Sequence, residues 1–324
     1  MPCQLHRPDM FHLRSFFHIP AFAVFALFHP EPVRAADSAP SGDAVIHGRA
    51  GLSDIVITTT ARLAGAIHSL TWNGREFIDS TDHGRQLQSA SNLDYGTPIT
   101  DETFNPTEAG SRNDGAGPTS SSRLLSLSAK GNLLQTRTQM AFWLRPDEKS
   151  GVHPAKNTSV LSEHLLTKRV QIGYRDLPNV IRYDVTFRLP LGERHTHAVF
   201  EALTGYMPAV FSRPLALNPS SGAPEPIEPG NGEIARPVVL STEGGTHAMG
   251  IYSPPQTMPK TTGPTFGRFR FESEKVVKWN CVFRVRDAAG IAPGDYAFRM
   301  FLVVGDLPVV TDSLRALQRE FSGK

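Results

Sequence analysis

The chain has 324 residues, with 33 Lys and Arg against 31 Asp and Glu. That near-balance excludes the basic excess with which polyanion binders neutralise phosphate, so no nucleic-acid partner is expected. An apolar fraction of 40 % excludes a wholly disordered chain, and Gly (27) with Pro (26), about 16 % together against roughly 12 % in average usage, favours turns and short strands over a helical bundle.

Residues 16–28 (FFHIPAFAVFALF) form an apolar run behind Arg7 and Arg14, shorter than the roughly 18–20 residues that span a bilayer. Val33-Arg34-Ala35 follows with small residues at the −3 and −1 positions. This layout predicts a signal peptide over 1–35, cleaved after Ala35 or Ala36. It implies a periplasmic or secreted protein with no membrane span after cleavage. Cleavage removes Cys3 and leaves Cys281, so no internal disulfide is expected. Cys281 alternates with Trp279 and Phe283 in VVKWNCVFRV, the pattern of a buried core thiol.

Residues 36–43 are small and polar and predict a flexible lead-in; 44–324 then read as a single β-sandwich domain. A strand over 55–60 precedes a hairpin, 66–72 and 75–78 around Asn73-Gly74, a dipeptide suited to the two positive-φ positions of a tight turn. Strands are predicted over 123–129, 133–143 and 160–174. Ile181, Tyr183, Val185, Phe187 and Leu189 then alternate with polar residues, the period of a half-buried strand. Further strands are predicted over 198–203, 237–242, 247–253, 266–271, 276–286 and 296–304. Only 311–321 has helical spacing, with Thr311 or Asp312 as its cap. Residues 91–122, 145–159 and 218–236 lack strand character. Long strands without intervening helices predict an all-β fold, a large antiparallel sandwich closed by a short C-terminal helix.

The densest polar chemistry lies at Asp82-His83-Gly84-Arg85-Gln86-Leu87-Gln88, followed by Tyr95, Asn105, Glu108 and Arg112. An Arg fork, amides and a phenol suit a ligand rich in hydroxyls or carboxylates. Arg85, Gln86, Gln88, Tyr95, Asn105 and Arg112 are therefore candidate substrate-binding residues, and His83 and Glu108 candidate acid/base groups. Glu201 is a carboxylate in the otherwise apolar segment Phe200-Glu201-Ala202-Leu203, and such a group is either paired or functional. Tyr206 follows in a predicted Gly205-Tyr206 turn as a further binding candidate. His247 begins a strand after Gly244-Gly245 and is a second candidate acid. His195, His197 and Glu201, spaced H-x-H-x-x-x-E, could bind a transition metal; the spacing resembles the first cupin motif, but the later Gly-Pro-Gly-His-Asn block of cupins is absent. The phosphate loop G-x-x-x-x-G-K-[ST], the dinucleotide fingerprint, the G-x-S-x-G elbow, CxxC and HExxH are also absent, so no cofactor is expected.

Residues 64–78 (AGAIHSLTWNGREFI) resemble the opening hairpin of galactose-mutarotase-like proteins, in which a "G-G-x-I-x-S-L" strand leads through a turn to "E-F/L-I/L". The resemblance implies a supersandwich and saccharide or polysaccharide binding. The chain has no match to the family's catalytic His motif, so the reaction is left open among epimerisation, β-elimination and hydrolysis. A non-catalytic glycan-binding protein of the same fold and a cupin-like metal-dependent enzyme are the alternatives.

Overall fold

The alternation of apolar and polar side chains sets the architecture. Ile181, Tyr183, Val185, Phe187 and Leu189 are all buried, while Arg182, Asp184 and Thr186 between them are half-exposed. The computed structural model describes residues 40–100 and 102–321, so the predicted leader lies outside the described residues. In chain order the strands begin β1 (Ala44–Ala50), β2 (Ser53–Thr59), β3 (Ile67–Trp72), β4 (Arg75–Glu76), β5 (Leu87–Leu93), β6 (Pro106–Thr107) and β7 (Arg123–Lys130). They continue with β8 (Leu133–Phe142), β9 (Lys149–Ser150), β10 (His153–Pro154), β11 (Leu161–Tyr174), β12 (Leu177–Leu189), β13 (His197–Pro208) and β14 (Arg213–Leu217). The last are β15 (Pro224–Pro226), β16 (Gly232–Ile234), β17 (Val238–Ser241), β18 (Ala248–Tyr252), β19 (Thr261–Phe271), β20 (Val276–Arg286) and β21 (Gly294–Gly305), before helix α1 (Leu307–Phe321).

Antiparallel pairing gives two layers. The first runs β16–β19–β20–β13–β5–β3–β2–β1. The second runs β7–β8–β11–β12–β21–β18–β17–β14–β15. The short β6 pairs with both β5 and β8 and stitches one layer to the other. The core fills the space between them. Phe200 of the first layer meets Phe187 of the second with ring centroids 4.9 Å apart, and Phe283 stacks on Phe298 at 4.5 Å. Cys281 is fully buried among them, as its alternation predicts. Helix α1 lies on the far side of the second layer, where Val310, Leu314 and Leu317 pack on Val180, Val239, Phe301 and Val303.

Asn73 (φ 48°) and Gly74 (φ 71°) close the β3–β4 hairpin with Trp72 opposite Arg75, the predicted turn. Other elements differ from the sequence reading. Residues 91–122 hold the end of β5 and all of β6, and 218–236 holds β15 and β16. β5 (LQSASNL) escapes a hydrophobicity pattern because Ser89 and Ser91 occupy its inward positions. The Ser89 hydroxyl is accommodated there by donating to the Ala202 carbonyl at 2.8 Å. β13 runs on to Pro208, so Gly205-Tyr206 is strand rather than turn. Gly205 is required because a Cβ there would come within 2.6 Å of the Trp279 ring. Helix α1 starts at Leu307 rather than near Thr311. Asp306 caps it, accepting from the Val309 N–H at 2.9 Å, and Pro308 fits the first turn, where a missing N–H costs nothing.

Candidate functional site

The outer face of the first layer carries a largely polar surface, interrupted by Val282 and Ala90 opposite Glu201. Strand register places Gln88 and Asn92 of β5, Glu201, Thr204 and Tyr206 of β13, Lys278, Asn280 and Arg284 of β20, and Thr265 and Phe269 of β19 on that one side. Glu201 and Thr204 are three residues apart yet share the face because a β-bulge falls between Glu201 and Leu203. Ala202 and Leu203 both stay buried. A bulge re-aims side chains in this way without ending the strand.

At the centre, the Lys278 ammonium lies 3.1 Å from the Glu201 carboxylate. It sits 5.2 Å from the Tyr206 ring centre and 5.4 Å from that of Phe269, within cation–π range. Burial opposes the charge on Lys278, but the Glu201 carboxylate and the Tyr206 oxygen together outweigh it and raise the ammonium's pKa well above its ordinary value. Burial raises the Tyr206 phenol. Next to this group Arg284 grips Glu233 with two contacts of 2.9 and 2.8 Å and reaches the Thr265 hydroxyl at 3.0 Å. Asn280 accepts the Gly267 N–H at 2.9 Å, and a Cβ on Gly267 would come within 2.2 Å of that amide oxygen.

The surface ends at an open pocket of about 790 Å³ lined by Asp94, the 96–99 segment, Arg194, Thr196, His197, Arg286 and Asp287. Asp94 shapes its floor. Its carboxylate accepts from the Thr196 and His197 N–H groups at 2.9 and 3.0 Å and from the Thr196 hydroxyl at 2.6 Å. Burial works against the Asp94 charge, and those bonds together hold its pKa below the ordinary value. At this end two buried polar atoms, Asn92 Oδ1 and His197 Nε2, have no hydrogen-bond partner. Burial, reinforced by Arg286, lowers the His197 pKa, which favours a neutral ring able to accept as well as donate.

Of the residues singled out in the sequence, Gln88, Glu201 and Tyr206 meet on this face. His197 lines the pocket at its end, and most of the others bond within the framework. His83 is buried, its ring nitrogens 2.7 and 2.8 Å from the carbonyls of Gly115 and Arg62. Glu108 is fully buried between the layers, ion-paired with Lys168 and accepting the Ser89 N–H at 3.1 Å. Gln86 donates to the His83 carbonyl and to Gln88 at 2.5 and 3.1 Å. Asn105 donates to the Ser91 carbonyl at 2.5 Å. Arg85 pairs with Asp82 and Arg112 with Glu148, each at 3.0 Å. Tyr95 is exposed and stacks on Phe104 at 4.7 Å. His247 turns its ring edge toward Trp72 and Phe77, at 5.8 and 6.2 Å. The polar density of 82–112 thus comes from bonding a folded-in loop, because buried polar groups need partners.

His195 and His197 do not share a face. His195 precedes β13 and turns inward, where its Nε2 lies 2.8 Å from Glu193 Oε2 and its Nδ1 bonds the Asp94 carbonyl. His164 of β11 reaches the same Glu193 oxygen at 2.7 Å. Burial opposes the Glu193 charge, but the two imidazoles pull its pKa down to about 2. Burial likewise opposes a charged His195, and Glu193 with the Asp94 carbonyl overcomes it and raises that pKa. The H-x-H-x-x-x-E metal set of the sequence reading is therefore not assembled, since His195 is drawn to Glu193 and away from Glu201. Lys278, Asn280, Arg284 and Glu233 were missed. For Lys278, Asn280 and Arg284 the signal was alternation in 276–286, where polar residues recur opposite Val277, Trp279 and Cys281; Glu233 sits in β16, within a stretch that lacked strand character in the sequence.

No protein-family model matches the chain, and no curated protein matches it. Similar solved structures include the Slr1438 protein of Synechocystis sp. PCC 6803, at 10 % identity and TM-score 0.43, covering 84 % of this chain and 99 % of that one. A candidate aldose 1-epimerase from Klebsiella pneumoniae subsp. pneumoniae aligns at 10 % identity and TM-score 0.41, over 84 % of this chain and 83 % of its own. An alpha-galactosidase from Lactobacillus brevis aligns at 10 % identity and TM-score 0.42, over 83 % of this chain but only 40 % of its own length. Aldose epimerases are among the proteins whose opening hairpin residues 64–78 resemble. At these identities and TM-scores the likeness transfers no residue role and no activity. The fold itself, all-β and antiparallel with one C-terminal helix, is the one the sequence implied.

Proposed function

We propose that the protein binds a saccharide on the outer face of β5, β13, β20 and β19, with the sugar chain running toward the pocket at Asp94 and His197. The observation that supports this most is the set of half-buried polar side chains around Glu201 and Lys278, flanked by the Tyr206 and Phe269 rings. Carboxylate, ammonium and amide groups match the mixed donors and acceptors of vicinal hydroxyls, and aromatic rings match the apolar faces of a pyranose. If the protein also turns its ligand over, Glu201 is the group placed to move a proton, and Tyr206 is its neighbour. We further propose export, with the mature chain beginning just after Ala35 or Ala36; N-terminal sequencing of protein recovered outside the cytoplasm tests this.

Binding is tested by screening the purified protein against neutral and acidic oligosaccharides and titrating the hits by calorimetry. Saturable binding that falls at least about tenfold in Glu201→Gln is expected, the loss typical of a hydrogen bond to a charged group. Absence of binding across the panel, or hits insensitive to Glu201→Gln and Lys278→Met alike, would overturn the proposal. Assay of each hit for altered products separates an enzyme from a binding protein.

A further inference from the structure

A second polar cluster lies apart from that face, at the inner end of the 190–196 turn. His164 Nε2, His195 Nε2 and one oxygen of Glu193 converge there, all within 4.8 Å of one another. Both imidazoles are buried, while Glu193 keeps 18 % of its side chain exposed. Three features go beyond a chance contact. Two imidazoles from different parts of the chain aim the same ring nitrogen at one carboxylate oxygen, at 2.7 and 2.8 Å. The far nitrogen of His195 is held by the Asp94 backbone carbonyl, the outer contact that fixes tautomer and ring orientation in metal-bound histidines. The Phe104 ring sits 5.5 Å from the His195 ring and 6.2 Å from that of His164, a rigid apolar wall beside both. The flanking Arg194 and Thr196 line the open pocket, so solvent lies next to the cluster.

We propose that His164, Glu193 and His195 form a binding site for a divalent first-row transition ion, with Zn²⁺ the ion their two-nitrogen, one-oxygen donor set suits. Bond lengths of roughly 2.0–2.2 Å to three tetrahedral ligands require donors a little over 3 Å apart. The nitrogen–oxygen distances therefore open by about half an ångström when the ion enters, within reach of side-chain rotation. Three protein ligands leave a fourth position for water or a ligand group. The ion would tie β11 to the turn between β12 and β13. This site does not depend on the saccharide proposal, since its ligands point between the layers and those of the outer face point away.

The test uses the full chain without an affinity tag, treated with chelator and dialysed. Co²⁺ titration of the wild type reads the site directly through the intense visible bands of a tetrahedral ion, and calorimetry with Zn²⁺ gives stoichiometry and affinity. A single saturable ion per chain is expected, with tetrahedral Co²⁺ bands that Zn²⁺ displaces. In Glu193→Gln and in His164→Ala, affinity should fall more than about 100-fold, beyond the roughly 10–100-fold typical of an outer-shell partner. Wild-type binding no tighter than about 0.1 mM, octahedral Co²⁺ spectra, or full affinity retained in a folded Glu193→Gln variant would overturn the proposal.

Discussion

The two layers treat their outer faces in opposite ways. On the second layer, Val180, Val239, Tyr252, Phe301 and Val303 point outward, and helix α1 covers them with Val310, Leu314 and Leu317. Gly250 lies directly beneath the helix, where a Cβ would come within 2.7 Å of the Leu314 side chain. On the first layer the outward positions hold Gln88, Glu201, Tyr206, Lys278, Asn280 and Arg284. The same alternating strand thus serves two ends. Apolar outward residues recruit a helix because their burial stabilises the fold by about 25 cal/mol per Å². Polar outward residues, packed among rings and ion pairs, leave a face that can meet a ligand.

That contrast can be broken by substitution, beginning between the layers. Lys168→Met should cost about 3–5 kcal/mol in urea unfolding, because it strands the buried Glu108 carboxylate. The double variant Lys168→Met/Glu108→Gln should recover much of that loss. On the covered face, Leu314→Ala should cost about 2–5 kcal/mol and leave saccharide titrations unchanged. On the open face the pattern should reverse. Glu201→Gln should cost less stability than Leu314→Ala, while removing most of the saccharide affinity. A stability loss in Glu201→Gln matching that of Leu314→Ala would erase the distinction between the faces.

The smallest effect concerns pH. Because the Lys278 pKa is raised in the folded protein, its contribution to stability is complete below about pH 10.5, the ordinary lysine value, and is lost as pH rises through the higher folded value. The stability difference between wild type and Lys278→Met should therefore stay flat from about pH 6 to about pH 9 and shrink only in strong alkali. Urea titrations at several pH values read this. A difference that instead grows as pH rises within that range would mean that burial outweighs Glu201 and the folded-state pKa is lowered.

What could be read from the sequence follows the range of the interactions involved. The Asn73-Gly74 hairpin and the 181–189 strand were legible because turn chemistry and two-residue periodicity are local. β5 was not, because Ser89 and Ser91 take core positions made tolerable by tertiary contacts, Ser89 through Ala202 on β13. The start of α1 was missed because the sequence reading placed the cap at Thr311 or Asp312, whereas Asp306 caps the helix one turn earlier. At the site, Glu201 stood out as a charge on an apolar strand. Its partner Lys278 lies 77 residues away and is brought beside it only by the pairing of β13 with β20. His164 and Glu193, 29 residues apart, are invisible as a pair for the same reason. Conversely, 82–112 looked like a binding loop because polar residues that bond one another inside a fold have the same composition as those that bond a ligand. Only burial separates His83 and Glu108 from Glu201.

The claim that the open face is the ligand surface is tested most directly by hydrogen–deuterium exchange with and without the best oligosaccharide from the screen. Ligand should slow exchange in β13, β20 and the 94–99 segment and leave 307–321 unchanged. Protection confined to the helix side, or to 82–88 without β13 and β20, would contradict it.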